Sequence, residues 1–128
     1  MKKEPVSILI AFLVLLSASP ILGQTILFKT KSHRFGFVHQ GAVLEYDYVF
    51  TNTGSEPLAI METKAECTCT EVTEPEKEIK PGETARIHLK FDSKSARYRQ
   101  KRTILVTSNA SNSPTILLFR CVVLRKKK

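Results

Sequence analysis

An all-β sandwich is the fold class this sequence predicts, and three observations predict it. Apolar and polar residues alternate with period two in several short runs. Clusters of glycine, proline and asparagine separate those runs. No long helical period follows residue 24.

The first segment is of another kind. MKKEPVSILIAFLVLLSASPILGQ opens with Lys2 and Lys3, continues through a largely apolar run from Val6 to Leu16, and ends on small residues, Pro20 and Gly23. This is the layout of a secretory signal peptide over residues 1–23, and the run falls short of the roughly 20 apolar residues of a comfortable membrane span. An uncleaved N-terminal anchor is the competing reading and the only expected route to a membrane. No cysteine follows the apolar run, so lipid attachment is not expected. The expected location is therefore periplasmic or secreted. Residues 24–33 read as an N-terminal extension, 34–124 as the sandwich, and Arg125-Lys126-Lys127-Lys128 as a basic tail that guards the edge of the last strand.

Strand by strand, FGFV (Phe35 to Val38) comes first. In VLEYDYVFTNTG, Leu44, Tyr46, Tyr48 and Phe50 share a face opposite Glu45, Asp47 and Thr51. The run PLAIMETKAECTCTEV (Pro57 to Val72) reads as a further strand. In TARIHLKFDS, Ala85, Ile87, Leu89 and Phe91 alternate with Arg86, His88 and Lys90, which places His88 on the solvated side. RTILVTSN and TILLFRCVVL complete the set. Between them, Asn52 to Pro57 closes one strand, Lys80-Pro81-Gly82-Glu83 fits a type II turn, and Asn109 to Pro114 is a polar loop. Such strands and turns in about 100 residues point to two packed antiparallel sheets.

Three cysteines allow at most one bridge in an exported chain, too few for a disulfide scaffold. Residues two apart on a strand share a face, so Met61, Ala65, Cys67 and Cys69 are expected inward, and Cys121 likewise with Leu117, Phe119 and Val123. Three readings stay open for these thiols. They are buried, idle core residues, the leading one; or one bridge, which between Cys67 and Cys69 needs a backbone bend; or a soft-metal or redox site drawing on Cys67, Cys69 and Cys121. His33, His39 and His88 show no metal-ligand spacing, and no cofactor is expected.

The net charge is +8. Seven glutamates lie between Glu62 and Glu83, whereas KSARYRQKR, Lys94 to Arg102, holds five basic residues and Tyr98. Export makes nucleic acid an unexpected partner and leaves an acidic protein or envelope component. The candidate contact residues are Arg97, Tyr98, Arg99, Lys101 and Arg102, with strand edges as a second means of binding. No nucleophile elbow, phosphate-binding loop or metalloprotease helix is present, so no catalytic activity is expected. The oligomeric state is not written in the sequence.

The punctuation also resembles a known family. Phe35-Gly36, Asn52-Thr53-Gly54 with Pro57-Leu58, Cys67-Thr68-Cys69-Thr70, Pro81-Gly82-Glu83 and Ser108-Asn109 occur in the order found in the bacterial exported family called domain of unknown function 1573. The resemblance covers about Phe35 to Val123. It implies an immunoglobulin-like, seven-stranded β-sandwich of the ASPM, SPD-2 and Hydin type, similar to the nematode major sperm protein fold, with no known catalytic activity. Two departures stand out: Thr68 where the family has glycine between its cysteines, and Cys121 where the last strand often has glycine.

Overall fold

A computed structural model describes residues 25–125; the expected signal peptide, Gln24 and the last three lysines lie outside them. Eight strands form two four-stranded sheets: β1 (Ile26–Phe28), β2 (Ser32–His39), β3 (Val43–Asn52), β4 (Ile60–Ala65), β5 (Thr70–Thr73), β6 (Thr84–Asp92), β7 (Tyr98–Ser108) and β8 (Thr115–Leu124). One sheet has the order β1-β3-β6-β5 and the other β2-β8-β7-β4.

The alternating runs build the core as expected. Leu44, Tyr46, Tyr48 and Phe50 pair in register with Phe91, Leu89, Ile87 and Ala85. In the facing sheet Ile104 pairs with Leu117, and Phe119, Cys121 and Val123 continue the buried face of β8. The buried Tyr48 hydroxyl crosses between sheets to donate to the Leu118 carbonyl at 2.7 Å. Its phenol is pushed above the usual tyrosine range by burial, and next by the neighbouring Tyr46.

Four expectations need correction. Residues 24–33 are not an extension outside the sandwich: Ile26 and Phe28 are buried, and β1 pairs with β3. This makes eight strands where seven were expected. Pro57 to Val72 is not one strand but two, because the chain leaves β4 in one sheet, turns at the cysteines and enters β5 in the other. The pairing is not wholly antiparallel, since β2 runs parallel to β8. That places β8 between β2 and β7, so the last strand is not an edge strand as expected; among the described residues the edges are β1, β5, β2 and β4, and the tail's last three lysines lie outside those residues.

One end of the sandwich is closed by asparagines. Asn52, fully buried, donates to the carbonyls of Glu56 at 2.7 Å and Ile79 at 2.8 Å, and accepts from the Gly54 N–H at 2.9 Å. From the other sheet, Asn109 accepts from the Ala59 N–H and donates to the Pro57 carbonyl. The segment between them drops Leu58 into the core, where it exchanges two 2.8 Å backbone bonds with Ile79. The expected turn follows: Gly82 has φ +84, as the third position of a type II turn requires, and its N–H meets the Asn52 carbonyl. Asn112 holds β1 by bonding both the N–H and the carbonyl of Ile26.

Candidate interaction site

The basic segment starts at the opposite end. After β6, Ser93 is buried and its hydroxyl donates to the Ala42 carbonyl at 2.6 Å, while Asp92 caps the short 3-10 turn Ser93–Ser95 by accepting from the Lys94 N–H. Buried Ala96 then anchors the entry to β7. Tyr98 enters that strand at φ +62, a left-handed conformation uncommon for a residue with a side chain, and is 74% exposed.

Strand alternation divides the contiguous candidates. Arg97, Tyr98, Arg99 and Lys101 are exposed. Arg102 is not part of that surface: it is half-buried, its Nη2 donates to Gln100 Oε1 at 2.7 Å, and its Nε is buried without a partner among the described residues. A run of adjacent basic letters cannot form one surface on a strand, because successive side chains point to opposite faces.

The sheet supplies two basic residues outside the original set. Arg120 lies directly opposite Lys101 on one side and Arg34 on the other, and all three are exposed. Arg99 stands one row along, opposite Val122, which also faces Phe37. Phe37 is 75% exposed. Between Arg34 and Phe37 the strand bulges: Phe35 turns inward against Phe119, with ring centroids 5.9 Å apart, and Gly36 follows at φ +78. A groove of about 500 Å3 lies here, lined by Arg34, Arg99, Lys101 and Arg120 together with Gly36 and Val122. Arg120 was legible on the polar side of its strand. Its alignment with Arg34 depends on a parallel pairing between strands some 80 residues apart, for which no local pattern exists.

The cysteines are only half as expected. Cys67 and Cys69 are half-buried in a turn and joined by a disulfide, with Cα atoms 5.2 Å apart. The Thr70 N–H closes that turn on the Cys67 carbonyl at 3.1 Å, which supplies the required bend despite Thr68. The shared inward face does not hold, since a register shift between Ile60 and Glu62 leaves Met61 66% exposed. The leading reading of idle core thiols is thus corrected for this pair. Cys121 fits it: free and buried, its thiol is pushed up by burial, with the Arg102 charge acting in the opposite direction. The disulfide lines a second groove of about 570 Å3 with Lys90, Asp92 and Lys94. Among the described residues no cluster of histidine, cysteine or carboxylate has a metal-holding arrangement.

His88 faces outward as expected but is not merely solvated. Its Nδ1 lies 2.6 Å from Asp47 and its Nε2 3.1 Å from Glu45, so those two hydrogen bonds raise its pKa above the ordinary value. Protonated His88 is favoured by folding, so its contribution is complete below about pH 6.5 and lost as pH rises through the higher native value. Wild type is therefore expected to exceed His88→Gln in stability most at pH 6 and least at pH 9. Urea unfolding at the two values checks this.

Two packed four-stranded sheets of this topology define an immunoglobulin-like, PapD-like β-sandwich. The chain belongs to the family described as "Protein of unknown function (DUF1573)", which matches it over residues 26–123. Among solved structures it is similar to a protein of unknown function from Porphyromonas gingivalis W83, with TM-score 0.71, 12% identity and coverage of 84% of this chain and 50% of that one. The chain thus spans half the length of that protein. The ASH / PapD-like domain 7 of human CEP192 gives TM-score 0.61 at 9% identity, covering 86% and 92% of the two chains. WR4, a C. elegans MSP family member, gives 0.50 at 7%, covering 77% and 97%. At these identities the likeness is one of fold. No curated protein matches the chain.

Proposed function

We propose that this is an exported, non-enzymatic sandwich that acts as a protein-binding or assembly module of the cell envelope. The observation that carries this reading is the exposure of Arg99 and Lys101 along one face of β7, with Arg97 and Tyr98 exposed at the entry to that strand. None of these basic side chains forms an ion pair with a carboxylate among the described residues. Uncompensated charge steers an oppositely charged partner, and an exposed aromatic in an unusual backbone conformation supplies an anchor. The layout of residues 1–23 supports export. The test is capture from an envelope fraction by wild type and by the triple variant Arg97→Glu, Arg99→Glu, Lys101→Glu. A partner retained by the first and lost by the second supports the reading; equal retention contradicts it.

The disulfide favours a second reading, thiol–disulfide exchange, over Cu(I) binding, because bonded sulfurs offer no thiolate. A bridge between residues two apart closes too small a loop to stabilise the fold much, so its presence invites a chemical role. In that role a substrate dithiol is oxidised to a disulfide while Cys67 and Cys69 become thiols. Alkylation and intact mass are expected to give one reactive thiol in the denatured, unreduced protein and three after reduction. Three without reductant would remove this reading.

A further inference from the structure

We propose that Arg34, Arg120, Lys101 and Arg99 form a binding groove for an extended acidic polypeptide segment, with Phe37 and Val122 receiving an apolar side chain beside the carboxylates. This rests on the protein-binding reading above and names its partner's chemistry. The first observation is register. Arg34, Arg120 and Lys101 stand directly opposite one another on three adjacent strands, and all are exposed. Like charges placed opposite each other on a sheet destabilise it, yet among the described residues no carboxylate forms an ion pair with any of them. Glu66, which follows β4 on the far side of β7, has a carboxylate oxygen occupied by the Thr103 hydroxyl. The row therefore carries a repulsion that the fold does not offset and an anionic ligand would.

The second observation is shape. Arg34, Arg99, Lys101 and Arg120 line a concavity of about 500 Å3, to which Gly36 and Val122 also contribute. A flat bilayer would meet a protruding tip more readily than a recess in a sheet face, which favours a chain segment over a membrane. Adjacent strands lie about 4.8 Å apart, so the row spans about 10 Å, and alternate residues of an extended chain lie about 6.7 Å apart. Two carboxylates two residues apart therefore fit the row. A side chain two residues further on, and so on the same face of the segment, reaches the Phe37–Val122 surface, where Phe37 is 75% exposed.

The probe is a fluorescein-labelled octapeptide with glutamate at its third and fifth positions, phenylalanine at its seventh so that all three share one face, and serine elsewhere, matched by a version with glutamine for both glutamates. Binding to the full chain is read by anisotropy, and Arg120→Glu is the central variant. The groove predicts that the glutamine peptide binds about tenfold or more weakly, that Arg120→Glu weakens the glutamate peptide to a similar degree, and that Lys77→Glu leaves it unchanged. It also predicts that Arg120→Glu raises the thermal midpoint by about 2–6 °C, because a carboxylate between Arg34 and Lys101 turns repulsion into attraction. A residue that merely supports the fold would lower it. Equal binding of the two peptides, wild-type binding by Arg120→Glu, or lost binding with a lowered midpoint each overturns the proposal. So does adsorption to vesicles containing phosphatidylglycerol that depends on Arg120 while the peptide goes unbound. Envelope capture that persists through β7 without peptide binding would sink the acidic-segment inference and leave the binding module standing.

Discussion

Replacing Asn52 with alanine is expected to lower the free energy of unfolding by about 3 kcal/mol, more than any exposed substitution in this chain. The side chain is 0% exposed and makes three hydrogen bonds, two donated and one accepted. Each bond is worth about 1 kcal/mol net, and truncation also takes the side-chain partner from the Glu56 carbonyl and the Gly54 N–H, while the Ile79 carbonyl keeps the Leu58 N–H. The loss spreads, because the same segment carries Leu58 into the core opposite Ile79. Asn52→Asp is expected to cost more than alanine, since a carboxylate would face two carbonyl oxygens in a buried site. Urea unfolding checks both: the midpoint should fall while the slope stays constant, as a stability change without a change in the denatured state requires.

Phe119→Ala is expected to cost about 4 kcal/mol, from lost transfer energy and the cavity left behind. Phe119 is fully buried at the centre of the sandwich, 5.1 Å by ring centroids from Phe91 of the facing sheet and 5.9 Å from Phe35 of the neighbouring strand. These tilted and edge-on pairs add to the area term. Phe119→Leu keeps most of the volume and should cost only about 1 kcal/mol. The same urea series separates the two, and a small effect of alanine would mean that β8 does not hold the centre.

Period-two alternation made β3, β6, β7 and β8 legible, because a half-buried strand writes its two faces directly into the chain. The turn at Lys80 to Glu83 was legible for an equally local reason, glycine's access to positive φ. What could not be read was long-range. The three residues of β1 are too few to show a period, and they are recognisable only once Asn112 is seen bonding Ile26 from the far end of the chain. The crossing between β4 and β5 hides inside one apparent strand, since the alternation of METKAECTCT runs through the turn that breaks it. Of the five contact residues, Arg102 was misplaced because its neighbours share its charge and not its face. Arg34 was missed because only the parallel pairing with β8 sets it beside Arg120.

The asparagines and the cationic row lie in different parts of the sandwich and have different consequences. Asn52, Asn109 and Asn112 bind backbone groups of this same chain, which accounts for their presence by stability alone. The row of Arg34, Arg120 and Lys101 has no such internal account, and the inference of an acidic partner segment rests on that contrast.

The most direct test of the account is to place a photo-crosslinking residue at Arg99 in the protein made by its own cells, with Lys77 in the acidic loop as the comparison position. A discrete protein adduct is expected at Arg99, lost when Arg120→Glu is added, and none at Lys77. No adduct at Arg99, or the same adducts at both positions, would contradict it.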